Sequence, residues 1–311
     1  MPTSVFSVAL RAIEEVDAGT LAAQFAALPS PPPAPAREDA PAACCCSTTP
    51  GLDKAFVQDP TLPNANSYAV FQGLPPPAAF WSAAIEAGTS AVVVLGHDAA
   101  HVNSFFKTAS GHGDPKQTCI ALPDGRTLKC VHEVTHPEAG LVVRQLEVAG
   151  PSGQGYMWIN FLWLGSWPDF GVPPSPAGLL RLCRELESCR RPGARIAVQC
   201  CCGTDEALGA CPAGAFIATD MLRHRLQRLS LAPLGSLRPE QVTEALDVEA
   251  LVRSLRAQRK GLVETAAQYR FVYTAIADEI KDGLRIERRL LPRGASTGAF
   301  AAAEPAAAAA R

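Results

Sequence analysis

The sequence has no excess of charge of either sign: Lys and Arg total 28 against 30 Asp and Glu, a net charge of −2 over 311 residues. That balance leaves no electrostatic footprint for nucleic acid or an anionic membrane, and neither is expected as a partner. No apolar run approaches the ~20 residues that a bilayer-spanning helix needs. No Cys-x-x-Cys pair occurs with a matching pair of histidines, so zinc is not expected by spacing, and no metal or other cofactor is expected. The 11 cysteines do not form a disulfide framework either. Six of them lie in two runs, Cys44-Cys45-Cys46 and Cys200-Cys201-Cys202, and adjacent cysteines bridge one another poorly. The opening Met1-Pro2-Thr3-Ser4, soon followed by acidic residues, lacks the pattern of a secretion leader. Reduced thiols and a cytoplasmic location are therefore expected. No internal repeat is visible.

What is present is an ordinary globular texture, 48% hydrophobic and 19% charged, with enough chain for a substantial core. Four segments are expected. Residues 1–28 form a helical segment, with Phe6, Leu10, Ile13, Val16, Leu21, Ala22, Phe25 and Leu28 at helical spacing and a break expected at Gly19. Residues 29–50 read as a Pro/Ala-rich linker, 51–290 as one globular domain, and 291–311 as an Ala-rich tail. Inside the domain, strands are expected at 64–73, 90–96, 126–135, 141–148, 156–164 and 195–198. Helices are expected after Pro77, after Ser175-Pro176, from Gly214 to about 229, at 248–259 and at 265–280. Residues 97–115, with His97, His101 and His112, read as a surface loop.

One stretch carries chemistry. The apolar run Arg195-Ile196-Ala197-Val198-Gln199 ends in Cys200, opens into a loop containing Gly203 and Gly209, and resumes as a helix at Gly214. A strand–loop–helix with glycines aims backbone N–H groups at an anion, with a helix dipole behind them. A cysteine at its mouth is placed to become a thiolate nucleophile. This is the skeleton of a cysteine-dependent phosphatase.

Several further blocks, in order, resemble the protein tyrosine phosphatase family. Gln72-Gly73-Leu74-Pro75 with Phe80-Trp81 resembles the Q-G-P-L-P…F-W segment, and Val143-Arg144-Gln145-Leu146 the V-R-Q-L strand. Trp167-Pro168-Asp169-Phe170-Gly171-Val172-Pro173 matches the W-P-D-x-G-V-P loop throughout. Leu255-Arg256-Ala257-Gln258-Arg259 and Glu264-Thr265-Ala266-Ala267-Gln268-Tyr269-Arg270-Phe271 follow as the L-R-x-Q-R and Q-T-x-x-Q-Y-x-F segments. The resemblance implies an α/β fold: a single phosphatase-like domain, its twisted mixed sheet flanked by helices on both faces. It implies Cys200 as nucleophile and Asp169 as general acid. It puts Glu264 and Gln268 at the two glutamine positions of the water-placing segment, with phosphotyrosine proteins as the partner class. The aromatic wall of the family's pocket has its nearest counterpart at Phe56.

The loop departs from the family's H-C-x5-R-S/T. Gln199 precedes Cys200, Glu206 stands six positions after it, and no arginine lies between Arg195 and Arg223. Aligned from the helix, Pro212-Ala213 occupies the Arg-Ser/Thr place, because about six residues near 203–208 lengthen the loop. Asp205 and Glu206 add negative charge where a dianion would sit, which would raise the Cys200 pKa as well as repel the phosphate. The expectation is a phosphatase-like protein that has lost hydrolysis and serves as an interaction module for a phosphotyrosine-containing or other protein. Two readings stay open beside it. One is a divergent active phosphatase in which Arg223 or Arg256 reaches the phosphate. The other is a thiol redox or metal-responsive protein built on the cysteine runs.

Overall fold

The computed structural model describes residues 4–29, 53–62, 67–72, 76–96, 99–106, 119–151, 155–168, 171–200, 212–233 and 236–290. Its centre is an eight-stranded mixed sheet. The strands are β1 (Asp53–Gln58), β2 (Ser67–Gln72), β3 (Thr89–Leu95), β4 (Cys119–Ala121), β5 (Thr127–His136), β6 (Leu141–Ala149), β7 (Tyr156–Leu164) and β8 (Arg195–Cys200). Their spatial order is β1-β2-β8-β3-β7-β6-β5-β4. The inner strands β2, β8, β3 and β7 run parallel to their neighbours, while β1 and the β7-β6-β5-β4 wing pair antiparallel. Parallel strands covered on both faces read as continuous apolar runs, and β3 is buried at every position.

Nine α-helices cover the faces among the described residues: α1 (Val5–Glu14), α2 (Ala18–Ala27), α3 (Pro77–Glu86), α4 (Ala99–Ser104), α5 (Ala177–Cys189), α6 (Ala213–Ser230), α7 (Pro239–Ala245), α8 (Val248–Gln258) and α9 (Ala266–Leu290). Alternation along β3 divides the core. Val93 and Leu95 point into the layer built with α5, α6, α8 and α9, whereas Val92 and Val94 point into the layer built with α3 and α4. The second layer is aromatic: Phe80 meets Phe71, Trp81 and Phe105 at centroid distances of 5.5, 5.2 and 4.9 Å. The α/β fold with a mixed sheet and helices on both faces is thus what the chain adopts.

Several local expectations change. The N-terminal helices separate at Asp17 and not at Gly19. The Asp17 carboxylate accepts the Thr20 N–H at 2.8 Å and caps α2, leaving Gly19 inside that helix. Part of the 97–115 stretch is α4, which carries His101, while His97 and His112 lie outside the described residues. The strands β1 and β4 and the helix α7 were not expected; β4, with three residues, and α7, with seven, are too brief to show a period. Helix α9 runs ten residues past its expected end, because its outer turns are polar and are held by α1. The linker from Ser30 and the tail from 291 lie outside the described residues.

Candidate functional site

Strand β8 delivers Cys200 to the edge of the described structure, its backbone in register with Gln72 of β2. The side chain of Cys200 lies outside the described residues, as do Asp169, Gly203, Gly209, Cys201, Cys202 and Cys211. What the structure places are the elements that frame them. Gln199, the residue before Cys200, is wholly buried. Trp167, two positions before Asp169, is buried with its ring edge-on to Phe271 of α9 at 5.4 Å. Helix α6 starts after Pro212, with Gly214 in its first turn.

Gly214 is where the frame closes. A Cβ built on it would lie 2.1 Å from the Val263 amide nitrogen and 2.8 Å from the Leu262 carbonyl carbon. The start of α6 therefore presses backbone to backbone on the turn that leads to Glu264 and Gln268. The Glu264 N–H donates to Gln268 Oε1 at 2.9 Å, and Thr265 Oγ1 accepts the Gln268 N–H at 3.2 Å. Gln268 is fully buried. Desolvation raises the Glu264 carboxyl above its ordinary value, with the Arg256 charge pulling the other way. The structure thus brings Gly214, Glu264 and Gln268 into one packed unit.

Four arginines are buried among the described residues, and all four are held. Arg256 donates to the carbonyls of Val263 (2.6 Å), Leu262 (3.3 Å) and Pro29 (2.9 Å). Arg223 pairs with Glu279 through Nε at 2.9 Å and Nη2 at 2.8 Å. Arg225 grips Asp59 bidentately at 2.9 and 2.8 Å. Arg144 donates to Glu133 at 2.8 Å and lies over the Phe106 ring. Phe56 sits level with Ala69 and Ala197, below the end of β8, with the Arg195 guanidinium 4.6 Å from its ring centre.

The family model for protein-tyrosine phosphatase matches residues 65–278. The chain belongs to the protein-tyrosine phosphatase family. It is 32% identical over 123 residues to the tyrosine-protein phosphatase corkscrew of Drosophila melanogaster, covering 37% of this chain and 12% of that protein. It is also 32% identical over 114 residues to human receptor-type tyrosine-protein phosphatase alpha, covering 36% of this chain and 12% of that one. The match thus spans about an eighth of these relatives' length. The catalytic domain of human protein tyrosine phosphatase non-receptor type 18 superposes with a TM-score of 0.55 at 21% identity, covering 74% of each chain. Among the described residues, no helix is long and apolar enough to cross a membrane, and no three His, Cys, Asp or Glu gather to hold a metal.

One residue of this framework had no signal in the sequence. Asp59, partner of Arg225, lies 166 positions away from it, and no local pattern connects them. Arg256 was readable as an arginine of the family segment, but its use as a clamp on three carbonyls is a tertiary fact.

Proposed function

We propose that this chain is a protein-tyrosine-phosphatase-fold protein that has lost phosphatase turnover and acts in the cytoplasm as an interaction module for a phosphotyrosine-containing or other protein. The observation that carries this reading is the fate of the arginines. The cysteine loop contains none between Arg195 and Arg223, and Arg223 and Arg256 are committed to Glu279 and to three carbonyls. Removing one preorganised donor from a transition state costs about 10²–10³ in rate. A charged bidentate donor is worth more than a neutral one. Asp205 and Glu206 in the loop, and Glu264 at the glutamine place, each add repulsion toward a phosphate dianion. Together these disfavour both hydrolysis and tight phosphotyrosine capture, which leaves the rest of the surface to engage a partner.

The test is steady-state hydrolysis of an aryl phosphate and a phosphotyrosine peptide by the wild type beside Cys200→Ser. Equal, background-level rates are expected from both proteins. Turnover in the wild type that disappears in Cys200→Ser would instead establish an active phosphatase, with Cys200 as nucleophile and Asp169 as the acid to test next.

A further inference from the structure

Val263 is the one non-glycine residue among those described with a positive φ, 55°. A β-branched side chain in the left-handed region is an outlier, and such strain persists only where the surroundings over-determine it. Here the surroundings come from four directions. Arg256 holds the carbonyls of Leu262 and Val263, Gln268 Oε1 accepts the next amide, and Gly214 presses on the Val263 nitrogen.

The fourth direction is the N-terminal helix α2, which is tied to both sides of this turn. Ahead of the turn, the third arm of Arg256 donates to the Pro29 carbonyl at 2.9 Å, and its guanidinium lies 5.1 Å from the centre of the Phe25 ring. Behind the turn, Gln24 Oε1 accepts the hydroxyls of both Tyr269 and Tyr273, each at 3.1 Å. Phe25 also packs on Tyr269 at 5.8 Å. Helix α2 has only ten residues and none of them is buried, and isolated helices shorter than about 12–15 residues are marginal in water. A weakly anchored helix is thus bonded to both flanks of the most strained turn described in the molecule. Elements that open locally are drawn from this low-stability end.

We propose that α2 is a detachable brace for the 262–264 turn, with Gln24 and Arg256 as its positioning residues. Docked, it fixes the guanidinium that keeps Val263 left-handed, and so fixes the direction in which Glu264 leaves the turn. Displaced, it takes away the Pro29 carbonyl, the Phe25 ring and the acceptor for two tyrosines, and the turn relaxes while the sheet stays folded. A partner competing for α2 would therefore reshape the Glu264 turn without touching it. The device operates whether or not the protein turns over phosphate.

Amide hydrogen exchange on the full chain tests it. The amides of Glu264, Gln268 and Tyr269 are compared with those of Val92–Val94 in wild type, Gln24→Ala, Arg256→Lys, Val263→Gly and the double variant Gln24→Ala/Val263→Gly. Gln24→Ala is expected to speed exchange at the turn about tenfold or more with the β3 amides unchanged. Arg256→Lys, which can serve only part of the carbonyl set, is expected to do the same. Glycine at 263 adopts positive φ without strain, so the double variant should recover most of the lost protection. A purely structural contact predicts no such recovery. Exchange that rises equally at the turn and in β3, a turn unaffected by Gln24→Ala, or no recovery with glycine would each overturn the proposal.

Discussion

Gly214 and Val263 touch through their backbones: a methyl group on the Gly214 Cα would stand 2.1 Å from the Val263 amide nitrogen. Real Cβ atoms do not approach nitrogen so closely, and neither partner is a flexible side chain that could swing away. Gly214→Ala must therefore separate the start of α6 from the turn before Glu264. Overpacking of this kind costs about 1–3 kcal/mol or more, against the ~1 kcal/mol that alanine gains over glycine inside a helix. A net loss of about 1–2 kcal/mol is expected in urea denaturation. An unchanged midpoint would show that the two segments are not in contact in solution.

Acid should unfold this protein through a few particular carboxylates. Burial alone would raise Asp59 and Asp220, but Arg225 and Thr61 hold Asp59 low, and Arg190, His224 and Tyr68 hold Asp220 low. Glu187 is also lowered, chiefly by its bond with His224. A carboxyl whose folded pKa lies below its unfolded value contributes stability above the unfolded value and loses it as pH falls through the folded one. Unfolding free energy should therefore be level from neutrality to about pH 5 and decline below about pH 4. Asp59→Asn should lower the plateau and make that decline shallower. A parallel decline in wild type and variant would remove Asp59 from the account.

Tyr68, at the start of β2, donates its buried hydroxyl to Asp220 Oδ2 of α6 at 2.6 Å, and Arg190 donates to the same oxygen. This triad locks the sheet to α5 and α6. Tyr68→Phe removes a hydrogen bond to a charged acceptor, a loss of about 1.5–3 kcal/mol. Asp220→Ala should cost more, about 3–5 kcal/mol, because it takes the buried carboxylate away from the half-buried Arg190 guanidinium and the Tyr68 hydroxyl together. Chemical denaturation of the two variants would give that ranking, and the reverse order would mean that Arg190 finds water.

Gly283 of α9 receives the ring of Phe6 from α1: a Cβ there would lie 2.3 Å from the ring. The ring can swing out, unlike the backbone at Val263. Gly283→Ala should thus turn the Phe6 ring out and loosen α1 at that end, while Ala9 and Ile13 stay in the core, with little change in core stability, the helix gaining about 1 kcal/mol from alanine. Trypsin cleavage at Arg11, exposed on α1, should accelerate severalfold while the thermal midpoint stays within a few degrees. Unchanged cleavage would show that α1 is held by its other contacts, such as Ser4 to Glu287.

Much of this architecture was legible because it is written in local pattern. The apolar run 91–95 reads as a strand covered on both faces, and β3 is buried at every position. Leu179, Leu180, Cys183 and Leu186 marked the buried face of α5, and Tyr269, Val272, Tyr273 and Ile276 that of α9, as the burial of each shows. The missing arginine needed no structure at all, since absence from residues 196–222 is a property of the chain.

Tertiary structure alone decided how the remaining arginines are used and what Gly214 is for. Arg223 and Arg256 were free in the sequence to reach a phosphate. Packing pairs one with Glu279 and surrounds the other with carbonyls from residues 6, 7 and 227 positions away. The sequence determines which groups exist and which local period each segment follows. Which distant groups meet is settled only when burial forces every charge and amide to find a partner, because an unpaired one costs more than most single contacts contribute.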